Sequence, residues 1–124
     1  DFSAASIRAA RAALALLEPS ADAPGLLCLV HVRSPLDDRY PVPASWLGEY
    51  ESDVGGMFAR LRDLLRPHLP DDVTLETRLR TGGVCDAVLD VARELHADLV
   101  AVGTQGPGWL ERLMLGSVAA DVLR

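Results

Sequence analysis

Between Gly103 and Val118 the chain reads GTQGPGWLERLMLGSV, and its residue types there lend themselves to chemistry. Gly103, Gly106 and Gly108 follow a short apolar run, Asp98 to Gly103. Glycines bring backbone N–H groups close to a ligand and reach positive φ without steric cost. Consecutive amides of that kind form anion-binding concavities. Gly116-Ser117 opens a last helix predicted over Val118 to Arg124. A helix N-terminus offers free N–H donors and partial positive charge, which suits phosphate. Two readings fit these residues. Gly103 to Gly108 is a phosphate cradle with Ser117 on a phosphate oxygen or metal, or it is a plain strand-to-helix turn with Ser117 as a cap. The spacing is G-x-x-G, nine residues, then G-S. It is not the Walker pattern, which requires a Lys, nor the G-x-G-x-x-G of dinucleotide sites.

Other candidates carry less. Cys28 lies in an apolar run and reads as a small buried hydrophobe. Cys85 stands near a predicted helix start, where a thiol pKa can fall. Two cysteines alone do not make a tetrahedral zinc site, and His31, His68 and His96 show no ligand spacing. His31, at the end of a strand, reads as a core or ligand-rim histidine rather than a base. Asp37-Asp38 reads as a solvated loop pair, and Glu111 and Arg112 as helix-surface charges. Of the two tryptophans, Trp46 and Trp109, the second lies inside the glycine segment and is the better ligand contact. No Ser/His/Asp or Cys/His set stands out.

Composition narrows the function classes. The net charge of −6 argues against a nucleic-acid backbone as partner. All 12 basic residues are Arg; Lys and Asn are absent and Ile occurs only at Ile7, which points to a GC-rich bacterial genome. Without Lys there is no P-loop lysine, no Schiff base and no lysine general base. The apolar runs fall short of the roughly 20 residues of a membrane span, and no secretory signal opens the chain. A cytoplasmic protein without membrane insertion is expected. The 124 residues suit one domain, 1–124.

The elements that must position the glycine segment follow from periodicity. Ile7, Ala10, Leu14 and Leu17 predict a helix over 3–18, with Ser3 as N-cap. After a turn over 19–25, Leu26 to Val32 is a continuous apolar run with His31 as its polar member, the pattern of a strand buried on both faces. A loop with three prolines covers 34–45. A helix is expected within about 46–68, with Val54, Met57, Phe58, Leu61, Leu64 and Leu65 on one stripe and Gly55-Gly56 as a local weakness. Val73 to Arg80 alternates as a half-exposed edge strand. Gly82-Gly83 turns into a helix marked by Val84, Ala87, Val88, Val91 and Leu95, and Asp98 to Gly103 reads as a second fully apolar strand. Alternating helices and strands imply a parallel sheet with helices on its faces. Opening on a helix cap and ending in a helix, the chain reads as clipped at both ends, with a first strand before Asp1 and a last strand after Arg124.

The spacing of Gly103, Gly106, Gly116 and Ser117 resembles the ATP-binding signature of the universal stress protein family. Asp1-Phe2-Ser3, LVHV at 29–32 and ADLVAVG at 97–103 resemble further stretches of that family in the same order, so the likeness covers essentially the whole chain, with the middle third weakest. It implies an α/β fold with an open, doubly wound parallel sheet, Rossmann-like, of strand order 3-2-1-4-5. It also implies an ATP-binding stress-response regulatory domain, at most a slow ATPase, forming homodimers. By position, Asp1 is expected near ribose or adenine and Val32 at the adenine edge. Gly103, Gln105, Gly106, Pro107 and Trp109 then wrap ribose and phosphates, and Gly116, Ser117 and Val118 hold the triphosphate, with Mg or Mn accompanying it. The chain departs from the family's pattern at Gln105 and Pro107, where nucleotide-binding members often carry cations. That favours a second expectation, a dimerisation or partner-docking module that does not bind ATP.

Overall fold

The computed structural model describes residues 2, 4–17, 22–33 and 44–103. Helix α1 spans Ala4–Leu16, strand β1 Gly25–Arg33, helix α2 Ala44–Leu65, strand β2 Val73–Thr81 and helix α3 Val84–Glu94. The 46–68 pattern is thus cut at Leu65, and a single 3-10 turn, Arg66–His68, completes it. Pro67, which has no N–H to donate, stands in that turn and stops the α-helix. Gly55 and Gly56 do not break α2. Burial of Val54, Phe58, Leu61 and Leu65 on either side of them outweighs a cost of about 1 kcal/mol per glycine.

The two strands pair in parallel, from Gly25 opposite Val73 to Arg33 opposite Thr81. Backbone bonds close both ends of the ladder: Gly25 N–H donates to Asp72 at 3.0 Å, and Gly82 N–H donates to Arg33 at 3.0 Å. Gly82 has φ +133°, which is why a glycine leads the chain out of β2 towards α3. Strand alternation then divides the side chains. Leu27 and Leu29 of β1, with Val73, Leu75 and Leu79 of β2, face a core completed by Ala10, Ala13 and Leu14 of α1 and by the buried row of α2. On the opposite face, Arg80 bonds Glu94 of α3 at 2.6 Å, and α3 buries Ala87 and Val91. Helices therefore flank an open parallel sheet on both faces, a Rossmann-like α/β arrangement.

Two expectations are corrected. β1 is buried on one face only: Leu27 and Leu29 are in the core, while Leu26 is exposed and Cys28 and Val30 are half-buried. Residues 98–103 form no strand, and Leu99 and Val102 are 55% and 54% exposed. The α3 side covers the outer face of β1 incompletely, and the 98–103 run lacks a backbone neighbour among the described residues. An apolar run becomes a buried strand only when a neighbour satisfies its backbone, and among the described residues β1 is paired along one edge alone. Among the described residues, neither that second edge nor residues 98–103 has a strand beside it. The expected N-cap Ser3, the 34–43 part of the loop and the last helix, Val118 to Arg124, lie outside the described residues.

Among the described residues, no helix is long and apolar enough to cross a membrane. Cys28 lies on the α3 face of β1. Burial pushes its thiol above the ordinary range, against an opposing pull from the Arg78 guanidinium. The thiolate is the reactive form, so iodoacetamide at neutral pH should alkylate Cys28 more slowly in the folded protein than in urea, as peptide mass mapping of quenched samples will show. Stability should follow the two rows of α2. Leu65 is 0% exposed and Leu64 50%. Leu65→Ala is expected to cost about 2–5 kcal/mol in urea unfolding, and Leu64→Ala about 0.5 kcal/mol or less.

Candidate functional site

In open parallel sheets, ligands sit beyond the carboxyl ends of the strands. Here that end carries His31, Val32 and Arg33 of β1 beside Leu79, Arg80 and Thr81 of β2. Val32 is half-buried in the penultimate position of β1, with its backbone in register with Arg80. A strand end of this kind can offer backbone groups to a ligand edge. Of the residues expected to bind nucleotide, Val32 and Gly103 are described. Asp1, Gln105, Gly106, Pro107, Trp109, Gly116, Ser117 and Val118 lie outside the described residues.

Phe2 fixes where the segment before α1 meets the sheet. Its ring lies 5.0 Å from the His31 ring, tilted by 31°, and 5.2 Å from Phe58 of α2 in an edge arrangement at 77°. Edge and offset contacts of this kind add roughly 0.5–1.5 kcal/mol beyond burial. Phe2 and Ile7 also stand five residues apart across the start of α1, the spacing of a hydrophobic staple, which sets the angle at which a chain enters a helix. In the sequence Phe2 stands within the Asp1-Phe2-Ser3 stretch. Its apolar character between two polar neighbours, just before a helix, was the available signal for a structural anchor.

Gly103 joins the same region from the other end of the chain. A Cβ added to it would lie 2.8 Å from the Ala5 carbonyl carbon, 2.9 Å from the Ser6 amide nitrogen and 3.1 Å from the Ala5 Cβ. The backbone at the start of the glycine segment therefore rests directly on the first turn of α1, and any side chain there would force that backbone to shift. Phe2 and Ala5 are within about 10 Å of each other even at full extension. The end of β1, the start of α1 and the start of the glycine segment thus meet at one end of the sheet.

His31 is half-buried, with its ring against Phe2. Cys85 is the second residue of α3 and half-buried. Gly83 is the N-cap of α3 and supplies no side-chain cap bond. Among the described residues, no group of His, Cys, Asp and Glu is arranged to hold a metal ion.

Comparison with known proteins agrees with this arrangement. The sequence profile of the universal stress protein family matches residues 1–124. A universal stress protein of Methanocaldococcus jannaschii is 36% identical over 52 residues, covering 42% of this chain and 31% of the relative. The match thus spans about a third of the length of that curated relative. No solved structure matches. With the family profile matched from first residue to last on an open parallel α/β sheet, the chain belongs to the universal stress protein family.

Proposed function

We propose that the chain is an adenine-nucleotide-binding regulatory domain that takes ATP together with Mg or Mn. The observation that carries this reading is the seat of Gly103 on the first turn of α1, beside the carboxyl end of a parallel strand. A glycine-initiated segment at that end of the sheet is where backbone amides are best used on phosphates. On this reading Asp1 and Val32 serve the adenosine end, Gly103, Gln105, Gly106, Pro107 and Trp109 the ribose and phosphates, and Gly116, Ser117 and Val118 the triphosphate. Any ATP hydrolysis is slow, since neither a general base nor an arginine finger is assigned. The domain acts in the cytoplasm, as a homodimer, without nucleic acid or membrane insertion.

A second reading rests on Gln105 and Pro107. A charge-assisted bond to phosphate is worth roughly 1.5–3 kcal/mol, so the lack of a cation at these positions weakens ATP by about tenfold or more. It favours a dimerisation or partner-docking module of the same family. Titration calorimetry with ATP and Mg separates the two: heat of binding is expected, and none at about millimolar nucleotide overturns the nucleotide reading.

One substitution at two glycines probes the close approach. Gly103→Ala forces a Cβ into the α1 backbone and is expected to cost about 1–3 kcal/mol and to weaken ATP. Gly55→Ala, with nothing within 4 Å, is expected to stabilise α2 by about 0.5–1 kcal/mol and to leave ATP unchanged. Urea unfolding and calorimetry on both variants provide the check.

A further inference from the structure

Helix α2 carries more apolar surface than the sheet uses. Val54, Phe58, Leu61 and Leu65 are buried as its sheet-facing row. Met57 and Leu64 lie on the neighbouring row and are exposed. With Phe2 and Ile7 of the α1 side, and with Arg60 and Leu61, they line an open groove of about 300 Å³. The groove is shallow and open to solvent, with Met57 and Leu64 41% and 50% exposed, so a ligand lying in it keeps one side in water. Arg60 supplies its one charge. Arg66, Arg78, Arg80 and Arg93 each have a carboxylate partner, with Asp63, Glu76, Glu94 and Asp90. Arg60, like Arg8, Arg11 and Arg62, has none among the described residues, but of these four it alone lines the groove.

We propose that this groove binds a single-chain amphiphilic carboxylate, its hydrocarbon chain along Phe2, Ile7, Met57 and Leu64 and its head on the Arg60 guanidinium. An apolar wall with one guanidinium is complementary to a ligand with one apolar tail and one anion. Guanidinium is matched to carboxylate in shape as well as charge. The groove is too small for a partner helix, which needs anchors over several turns and an interface of about 1,000 Å² or more. The protein's net charge of −6 makes the test selective. Adventitious adsorption of amphiphiles to an acidic protein favours cations, so preference for an anion has to come from a local positive group.

The test uses the whole chain, with decanoate and decyltrimethylammonium below their micelle concentrations, followed by calorimetry and by methyl NMR. Decanoate is expected to bind at least about tenfold more tightly than the cation, with shifts at the Ile7, Met57 and Leu64 methyls. Arg60→Glu should reverse that preference. Leu64→Gln should weaken decanoate with little change in the thermal midpoint, because Leu64 is half exposed and contributes little to the core. Equal or tighter binding of the cation to the unaltered protein overturns the proposal, as do shifts confined to other residues. Sedimentation showing self-association that Leu64→Gln abolishes also overturns it, since the groove then belongs to a second copy of the chain.

Discussion

The parallel pairing of β1 with β2 is the constraint from which the other described features follow. Parallel strands cannot be joined by a tight turn, so the connection must cross the sheet, and α2 is that crossover. Its length brings a long apolar row over Leu27 and Leu29, and α1 completes the same layer through Ala10, Ala13 and Leu14. Both carboxyl ends then point the same way, which collects His31, Val32 and Arg33 beside Arg80 and Thr81. An antiparallel pair would have sent β2's exit, and with it Gly82 and Gly83, to the opposite end. The candidate site is therefore a consequence of strand direction before it is a matter of any side chain.

The two faces of the ladder are held by different physics. The α1–α2 face is held by hydrophobic burial, with Leu65 fully enclosed. The α3 face is mixed, because β2 presents Glu76, Arg78 and Arg80 there. Arg78 pairs with Glu76 at 2.8 Å on the same strand, and Arg80 reaches Glu94 at 2.6 Å. Pairs this exposed contribute about 1 kcal/mol at most, so they fix the orientation of α3 more than they hold it down. Ala87 and Val91 supply its buried contact. Those charges also suit a strand that, among the described residues, is paired on one side, since charged side chains on an edge discourage further pairing.

How much was legible depended on whether a feature is local. Helix α3 and strand β2 declare themselves by period, and their ends fall within a residue of the pattern because Gly82, Gly83 and Pro70 punctuate it. Hydrophobicity failed where partners decide. Leu26 to Val32 and Leu99 to Val102 have the same apolar character, yet the first is in a ladder and the second is not. Composition records a preference for burial and says nothing of which backbone will lie alongside. The α2 stripe failed in a milder way: Met57 and Leu64 fit the helical period as well as Phe58 and Leu65 do, but the sheet covers only about 100° of the helix. In the candidate site, Gly103 stands out by its place at the end of an apolar run, whereas Val32 is singled out only through the family resemblance. The contact between Gly103 and Ala5 joins residues far apart in the chain, and no local rule announces it.

Phe2 connects these parts. Its ring touches His31 at the end of β1 and Phe58 in the core, and it also forms one wall of the α1–α2 groove. Close-packed interiors do not deform continuously, so such a ring cannot be displaced in one environment and stay fixed in the others. The same short segment precedes the helical turn on which Gly103 rests. Rotation of Phe2 would change the support of His31 and the entry angle of α1 together, and through α1 the seat of Gly103. A single aromatic residue in front of a helix thus has mechanical access to the core, the strand end and the glycine segment, although it contributes no polar atom of its own side chain to any of them.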